Sequence, residues 1–296
     1  MKKRILVIGS ISIDNTIFTK ELPKAGTTTP ADTCMTNVGG KGANQAAASL
    51  FLGGEVSFIG AVGKDSNGEL VKKLLKDISL NAYIKESDEP TGVAFIIIEE
   101  TTGENRILIV QGANTDLTIE DIDRHSNLFK EGDILLTQFE CSIDTVQHII
   151  KKAHDSKMTV IVNPAPYKEM EKEYFQYIDY LVPNEHETEQ LTGITDVELS
   201  SRALLDWGVK NVITTLGEKG SILINNETII KVAPYKVNAV DTTAAGDSYL
   251  GALVTKLAEG KDIIEAMEFA SLASSVTVTR KGAIIALPRL DDLNSL

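Results

Sequence analysis

Six short runs rich in β-branched residues punctuate the chain: RILVIG (4–9), EVSFIGAVG (55–63), DILLTQFE (133–140), MTVIVNPAP (158–166), YLVPNE (180–185) and NVITTLGEKG (211–220). Their apolar character is continuous rather than alternating, which suits strands covered on both faces. Between them lie GELVKKLLKDI (68–78), SIDTVQHIIKKAHDSK (142–157) and SSRALLDWG (200–208), where apolar residues recur at three- and four-residue spacing. A chain that alternates these two periods is expected to fold as an open, doubly wound, mostly parallel α/β sheet with helices on both faces. Ligands of such sheets sit beyond the carboxyl ends of the strands, so the residues that follow each strand matter most.

Two segments break the alternation. TGVAFIIIEETTGENRILIVQGAN (91–114) reads as two strands joined through TTGE, a hairpin. The stretch from 15 to 40 has no helical period and several turn residues. Both are expected to be strands of one small sheet projecting over the strand ends, where it could cover a ligand or pair with another subunit. The predicted organisation is an α/β core of residues 1–14, 39–90 and 112–296, with a β lid of 15–38 and 91–111.

Composition narrows the partners. A net charge of −13 argues against nucleic acid and membrane surfaces, both of which favour a basic face. Cys34 and Cys141 form no metal or redox spacing, and a disulfide framework is unexpected in a chain of 296 residues, so the reading is cytoplasmic. The opening MKKRILVIGS is too short in its apolar part for a signal peptide and reads as a first strand. No apolar run approaches the length needed to cross a bilayer.

The chain has no GxGxxG after its first strand and no GxxxxGK[ST], which sets aside a dinucleotide-dependent dehydrogenase and a P-loop enzyme. It has instead GGKGANQAAASLFLG (39–53) and VDTTAAGDSYLGAL (240–253), each with small residues leading into a helix. Close packing of helix on sheet is one reading of both. For the second there is another. A helix beginning near Ala245 or Gly246 leaves several N–H groups without intrahelical partners, and with no bulky side chain in the way they form an anion site. Asp247 in the same turn can accept a proton from a hydroxyl; a helix N-cap is the alternative for it.

Taken together, GGKGAN, PNEHE (183–187), TLGEKG (215–220), DTTAAGD (241–247) and TRKGA (279–283), in that order and spacing, resemble the ribokinase family of sugar kinases, also called the phosphofructokinase-B family. The resemblance runs over essentially the whole chain. It implies ATP-dependent phosphorylation of the terminal 5-hydroxyl of D-ribose, with 2-deoxyribose, fructose or a nucleoside as alternative acceptors. A sugar or nucleotide sensor without turnover is the alternative outside catalysis. By position, the family pattern makes Asp247 the base, with the amides of Ala244, Ala245, Gly246 and Asp247 holding the γ-phosphate. Ser12, Asp14 at the end of the first strand, Gly40, Lys41, Gly42, Asn44 and Glu140 would hold the sugar. Asn184, Thr215, Gly217, Glu218, Lys219, Gly220 and Ser271 would hold the nucleotide, and Glu187 would organise Mg²⁺ through water; a solvated helix face is the alternative for Glu187. The family also implies a K⁺ site at Asp241, Thr243, Thr277, Arg280 and Gly282, and a homodimer joined through the lid. Two positions depart from the pattern: Ser12 stands where asparagine is usual, and Ala286 where a serine often contributes to the cation site.

Overall fold

All four residues of the first strand, β1 (Ile5–Ile8), are buried. Ile5 and Val7 pack on one side with Ala43, Ala46, Ala47 and Leu253, while Leu6 and Ile8 pack on the other with Val146, Ile149 and Ile150. A period of two with both faces apolar thus yields three layers, helix on sheet on helix. The computed structural model describes residues 2–99, 101 and 105–293.

After β1 come β2 (Ser12–Thr19), β3 (Thr33–Gly39), α1 (Lys41–Phe51), β4 (Val56–Gly63), α2 (Ser66–Asp77) and β5 (Asn81–Ser87). There follow β6 (Val93–Glu99), β7 (Asn105–Val110), α3 (Ile119–Arg124), β8 (Ile134–Gln138), α4 (Ile143–Asp155), β9 (Thr159–Asn163) and β10 (Tyr180–Leu181). The remainder forms α5 (Glu185–Thr192), α6 (Val197–Asp206), β11 (Asn211–Thr215), β12 (Ser221–Ile224), β13 (Ile229–Val232), α7 (Ala245–Ala258), α8 (Ile263–Thr277) and α9 (Leu290–Leu293).

The large sheet runs β13-β12-β11-β10-β9-β8-β1-β4-β5. Its pairs are parallel except β11 with β12 and β12 with β13. The six runs expected as parallel strands all belong to it. Three further strands do not follow from the apolar pattern: β5, and the antiparallel pair β12 and β13. From β1 the chain moves outward to β4 and β5, then returns to β8 and builds in the other direction. The gap beyond β1 and β8 is therefore the topological switch point where such folds bind ligands.

A second sheet, β3-β2-β6-β7, stands apart from the first. Its β6 and β7 form the expected antiparallel pair, with Phe95 opposite Leu108 and Ile96 opposite Ile107. Residues 102–104 of the TTGE turn lie outside the described residues. Asp14 is not at the end of β1, as expected, but within β2 of this small sheet, opposite Asn37 of β3. The chain passes from one sheet to the other over only three residues, 9–11, which the apolar pattern could not reveal.

Gly42 of the first motif and Gly251 of the second serve close packing, as one reading held. A Cβ on Gly42 would lie 2.5 Å from the Gly9 carbonyl carbon, and one on Gly251 would lie 2.4 Å from Cβ of Ala48. So α1 approaches β1, and α7 approaches α1, at distances that no side chain permits. Among the described residues no helix is long and apolar enough to cross a membrane.

Candidate active site

The DTTAAGD stretch ends in the first turn of α7. Its N-cap is Ala244, in the left-handed region at φ 58° and ψ 11°, with no side-chain cap. That conformation costs an alanine about 1 kcal/mol. Asp247 is the third residue of the helix, and its carboxylate does not cap it. Oδ2 accepts from Nδ2 of Asn44 at 2.9 Å, and Oδ1 accepts from Nε2 of Gln45, also at 2.9 Å. Of the amides expected to face an anion, that of Ala245 donates to the Thr242 carbonyl at 3.2 Å. Those of Gly246 and Asp247 sit in the first turn, where no intrahelical acceptor exists. A Cβ on Gly246 would meet nothing within 4 Å, so the backbone there faces open space.

Three cavities converge on this turn. The first, of about 250 Å³, is bounded by Ser12, Asp14, Gly40, Lys41, Asn44 and Glu140 on the core side and by Ala94, Ile96, Ile107 and Ile109 of the small sheet. Ser12 donates its hydroxyl to Oδ1 of Asp14 at 2.6 Å. Glu140 accepts from the hydroxyl of Ser10 and, at 3.1 Å, from the Lys41 amide. Gly42 does not border the cavity; it packs on the backbone of Gly9 and Ser10, just after β1.

The largest cavity, about 650 Å³, is bounded by Thr215, Gly217, Glu218, Gly220, Gly246 and Ser271. Lys219 of the same loop turns away, its ammonium 3.9 Å from Glu185. Pro234, Tyr235, Lys236 and Val237 form a further wall that the sequence reading missed, because the segment has neither period nor motif. Between the two lies a cavity of about 220 Å³ that touches Lys41, Asn184, Glu187, Gly246 and Asp247. Asn184 and Glu187 form a reciprocal capping box on α5, with bonds of 2.8 and 2.9 Å. Glu187 is half-buried beside the cavity, not on a solvated face.

The electrostatics are those of crowded carboxylates around one cation. Burial pushes the Asp14 carboxyl up to about 6; the Ser12 hydroxyl opposes this, and Glu140 and Asp247 add to it. Glu187 is likewise raised, chiefly by burial. Burial pulls the Lys41 ammonium down, but Asp247, Glu140, Glu187 and Asp14 outweigh it and hold Lys41 above its ordinary value. Lys41 is therefore charged at any physiological pH.

The positions expected around a monovalent cation lie beside this turn. Asp241 accepts from the Thr243 amide with Oδ1 and from the Gly282 amide with Oδ2, both at 2.9 Å, so one carboxylate ties the α7 entry loop to the loop after α8. The Thr277 hydroxyl bonds the Ala273 carbonyl within α8, and the Arg280 guanidinium reaches Asp292 at 3.0 Å. What these residues offer a cation is backbone oxygen and the Thr243 hydroxyl. Ala286 is fully buried and offers none from its side chain. No cluster of three His, Cys, Asp or Glu side chains able to hold a metal occurs among the described residues.

Two cavities that meet at a helix N-terminus carrying a buried carboxylate, at the switch point of an α/β sheet, define a phosphotransferase acting on a small hydroxylated acceptor. The sequence matches the pfkB family of carbohydrate kinases over residues 2–290, and the chain belongs to that family. It is 38% identical to a ribokinase of Schizosaccharomyces pombe over 304 residues, 97% of this chain and 95% of that protein. It is 35% identical to a deoxyribokinase of Salmonella typhi over 298 residues, 98% of this chain and 97% of that one. Among solved structures, Arabidopsis thaliana ribokinase in complex with ribose and ATP superposes with a TM-score of 0.88 at 31% identity, covering 100% of this chain and 98% of that chain.

Proposed function

We propose that the chain transfers the γ-phosphoryl group of ATP to the 5-hydroxyl of D-ribose. The observation that carries this reading is the position of Asp247, which borders both the cavity walled by Asp14, Asn44 and Glu140 and the cavity leading to Thr215 and Gly246. Carboxylates and an amide suit a polyhydroxy ligand, since each hydroxyl both donates and accepts. In the step itself Asp247 accepts the hydroxyl proton as the sugar oxygen bonds to phosphorus and the bond to the ADP oxygen breaks. The amides of Gly246 and Asp247, with the Lys41 ammonium, hold the charge on the transferred group. Glu218, Gly217 and Ser271 line the nucleotide side.

Mg²⁺, when bound, neutralises charge on the phosphates. Two carboxylates, Glu187 and Asp247, border the central cavity; with Asp247 taken as the base, Glu187 is the one left for a metal, which fits an ion held mostly by phosphates and water rather than by a protein cage. Around Asp241, Thr243, Thr277, Arg280 and Gly282 the available donors are neutral oxygens, of the backbone and the Thr243 hydroxyl, which suits K⁺ more than a divalent ion. The small sheet acts as a lid, since Ile107 and Ile109 wall the sugar cavity, and its outward Phe95 and Leu108 are the contact of a homodimer. A cytoplasmic setting belongs to this reading and is supported by the free Cys34 and Cys141.

One observation favours 2-deoxyribose as a second acceptor. The Ser12 hydroxyl is already directed at Asp14, so the place usually held by a longer asparagine offers the sugar less. Turnover of ribose and 2-deoxyribose with Mg²⁺-ATP, followed by coupled ADP release, decides between them: a higher kcat/KM for 2-deoxyribose would reverse the order. Asp247→Asn tests the base. Turnover should fall by roughly 10²–10⁴-fold with KM for sugar within a few-fold, and a variant keeping a tenth of the activity would remove the assignment.

A further inference from the structure

Beneath the proposed base runs a chain of buried amides. Gln138, the last residue of β8, donates from Nε2 to Oε1 of Gln45 on α1 at 2.6 Å, and Gln45 donates from Nε2 to Oδ1 of Asp247 on α7 at 2.9 Å. Both glutamines are fully buried. The direction of the chain is fixed: a reversed Gln45 amide would set two acceptor oxygens against each other at the carboxylate. Each accepted bond also polarises the next donor. At its far end Oε1 of Gln138 has no hydrogen-bond partner among the described residues. It occupies space left by Gly9, where a Cβ would lie 1.9 Å from it. A core built for stability alone would fill these positions with leucine and avoid an unpaired oxygen. The polar chain therefore needs a reason outside stability.

We propose that Gln45, oriented by Gln138, is the positioning residue for Asp247, holding its carboxylate on the sugar hydroxyl and away from the nearby ammonium of Lys41. This rests on Asp247 being the base. Asn44 holds the other carboxylate oxygen but also borders the sugar cavity, so it is free to exchange partners when sugar enters. Gln45 borders none of the three cavities and can bond to Asp247 throughout turnover. The charged groups around Asp247 are Lys41 from α1, Asp14 from β2, Glu187 from α5 and Glu140 after β8; of the buried donors, only Gln45 is both neutral and out of reach of substrate.

Gln45→Glu is the isosteric test. While the new carboxyl is protonated it can accept from Gln138 and donate to Asp247 as the amide does. Once it ionises, two carboxylates face each other at hydrogen-bond distance and Asp247 is displaced. The ratio of variant to native kcat should therefore fall at least tenfold as pH rises through about 6–9, where a carboxyl beside another carboxylate loses its proton. Gln45→Leu should lower kcat by about 10–100-fold at every pH with KM for ribose within threefold, the signature of a misplaced base. If Gln45→Leu does not fold, Gln138→Leu, which leaves the Gln45–Asp247 contact but frees the amide to flip, should give a smaller loss of the same kind. A flat ratio for Gln45→Glu, or a loss confined to KM, overturns the proposal. Run in parallel, Asp247→Asn separates the two levels: an active Asp247→Asn removes the base itself, whereas an inactive one beside a flat Gln45→Glu removes only the role of Gln45.

Discussion

Asp14 is a carboxyl that the fold makes hard to ionise. In the folded chain it keeps its proton up to about 6, against 3.8 for an ordinary aspartate, mainly because it is buried. Between those values the folded state binds more protons than the unfolded one, so the stability this residue contributes is fully present below 3.8 and gone above about 6. Asp14→Asn removes the charge that must otherwise be buried at neutral pH. It should raise stability to urea by about 1–3 kcal/mol near pH 7.5 and leave it unchanged near pH 4. Sugar affinity should fall at the same time, since an acceptor becomes partly a donor. Equal denaturation curves for both proteins at the higher pH would show that Asp14 is no burden to the fold. The residue itself could be picked from the sequence, but its strand could not, because nothing in GSISID marks where one sheet stops and the next begins. Gln45 was harder still. It stands inside the quoted GGKGANQ run, yet a glutamine in an alanine-rich helix looks like a surface residue until α7 is known to lie over it.

At the scale of elements, the site depends on how closely α1 and α7 approach. Asn44 and Gln45 come from one helix and Asp247 from the other, and Gly251 opposite Ala48 sets their separation. Gly251→Ala would force a methyl group to within 2.4 Å of the Ala48 Cβ. The helices must part, costing about 1–3 kcal/mol of stability. Thermal denaturation should show that loss, and turnover should drop with it because the bonds to Asp247 span the widened gap; an unchanged melting temperature would mean the pair relaxes freely. This closeness is visible in the composition of the two motifs, as is the sheet in its unbroken apolar runs. What escapes are β5, β12 and β13. β5 reads NAYIKES and carries four polar residues on an open edge, while β12 and β13 are four residues each and are joined by antiparallel pairing. Their apolar residues are too few to show a period, and only pairing makes them strands, β12 with β11 and β13 with β12.

Across the whole molecule, the small sheet is the part with most apolar surface left uncovered. Leu108 is 67% exposed and Phe95 opposite it 41%, on a sheet whose edge strand β7 is open among the described residues. Exposed apolar edges of this kind invite pairing with a second sheet. If the chain pairs through this edge, as proposed, Leu108→Asp should shift it from dimer to monomer in light scattering at micromolar concentration; a dimer that survives would place the interface elsewhere. Leu108 lies between Ile107 and Ile109, which face the sugar cavity from the same strand. One strand thus presents successive side chains to the cavity and, across its back, to solvent, where the proposed partner would sit. If closing over sugar stiffens that strand, association and sugar binding are thermodynamically linked, and the linkage works equally in both directions. In a dimer paired through this sheet, whatever factor dimerisation adds to sugar affinity, sugar must add to the association constant, so dilution should weaken sugar affinity and ribose should drive subunits together.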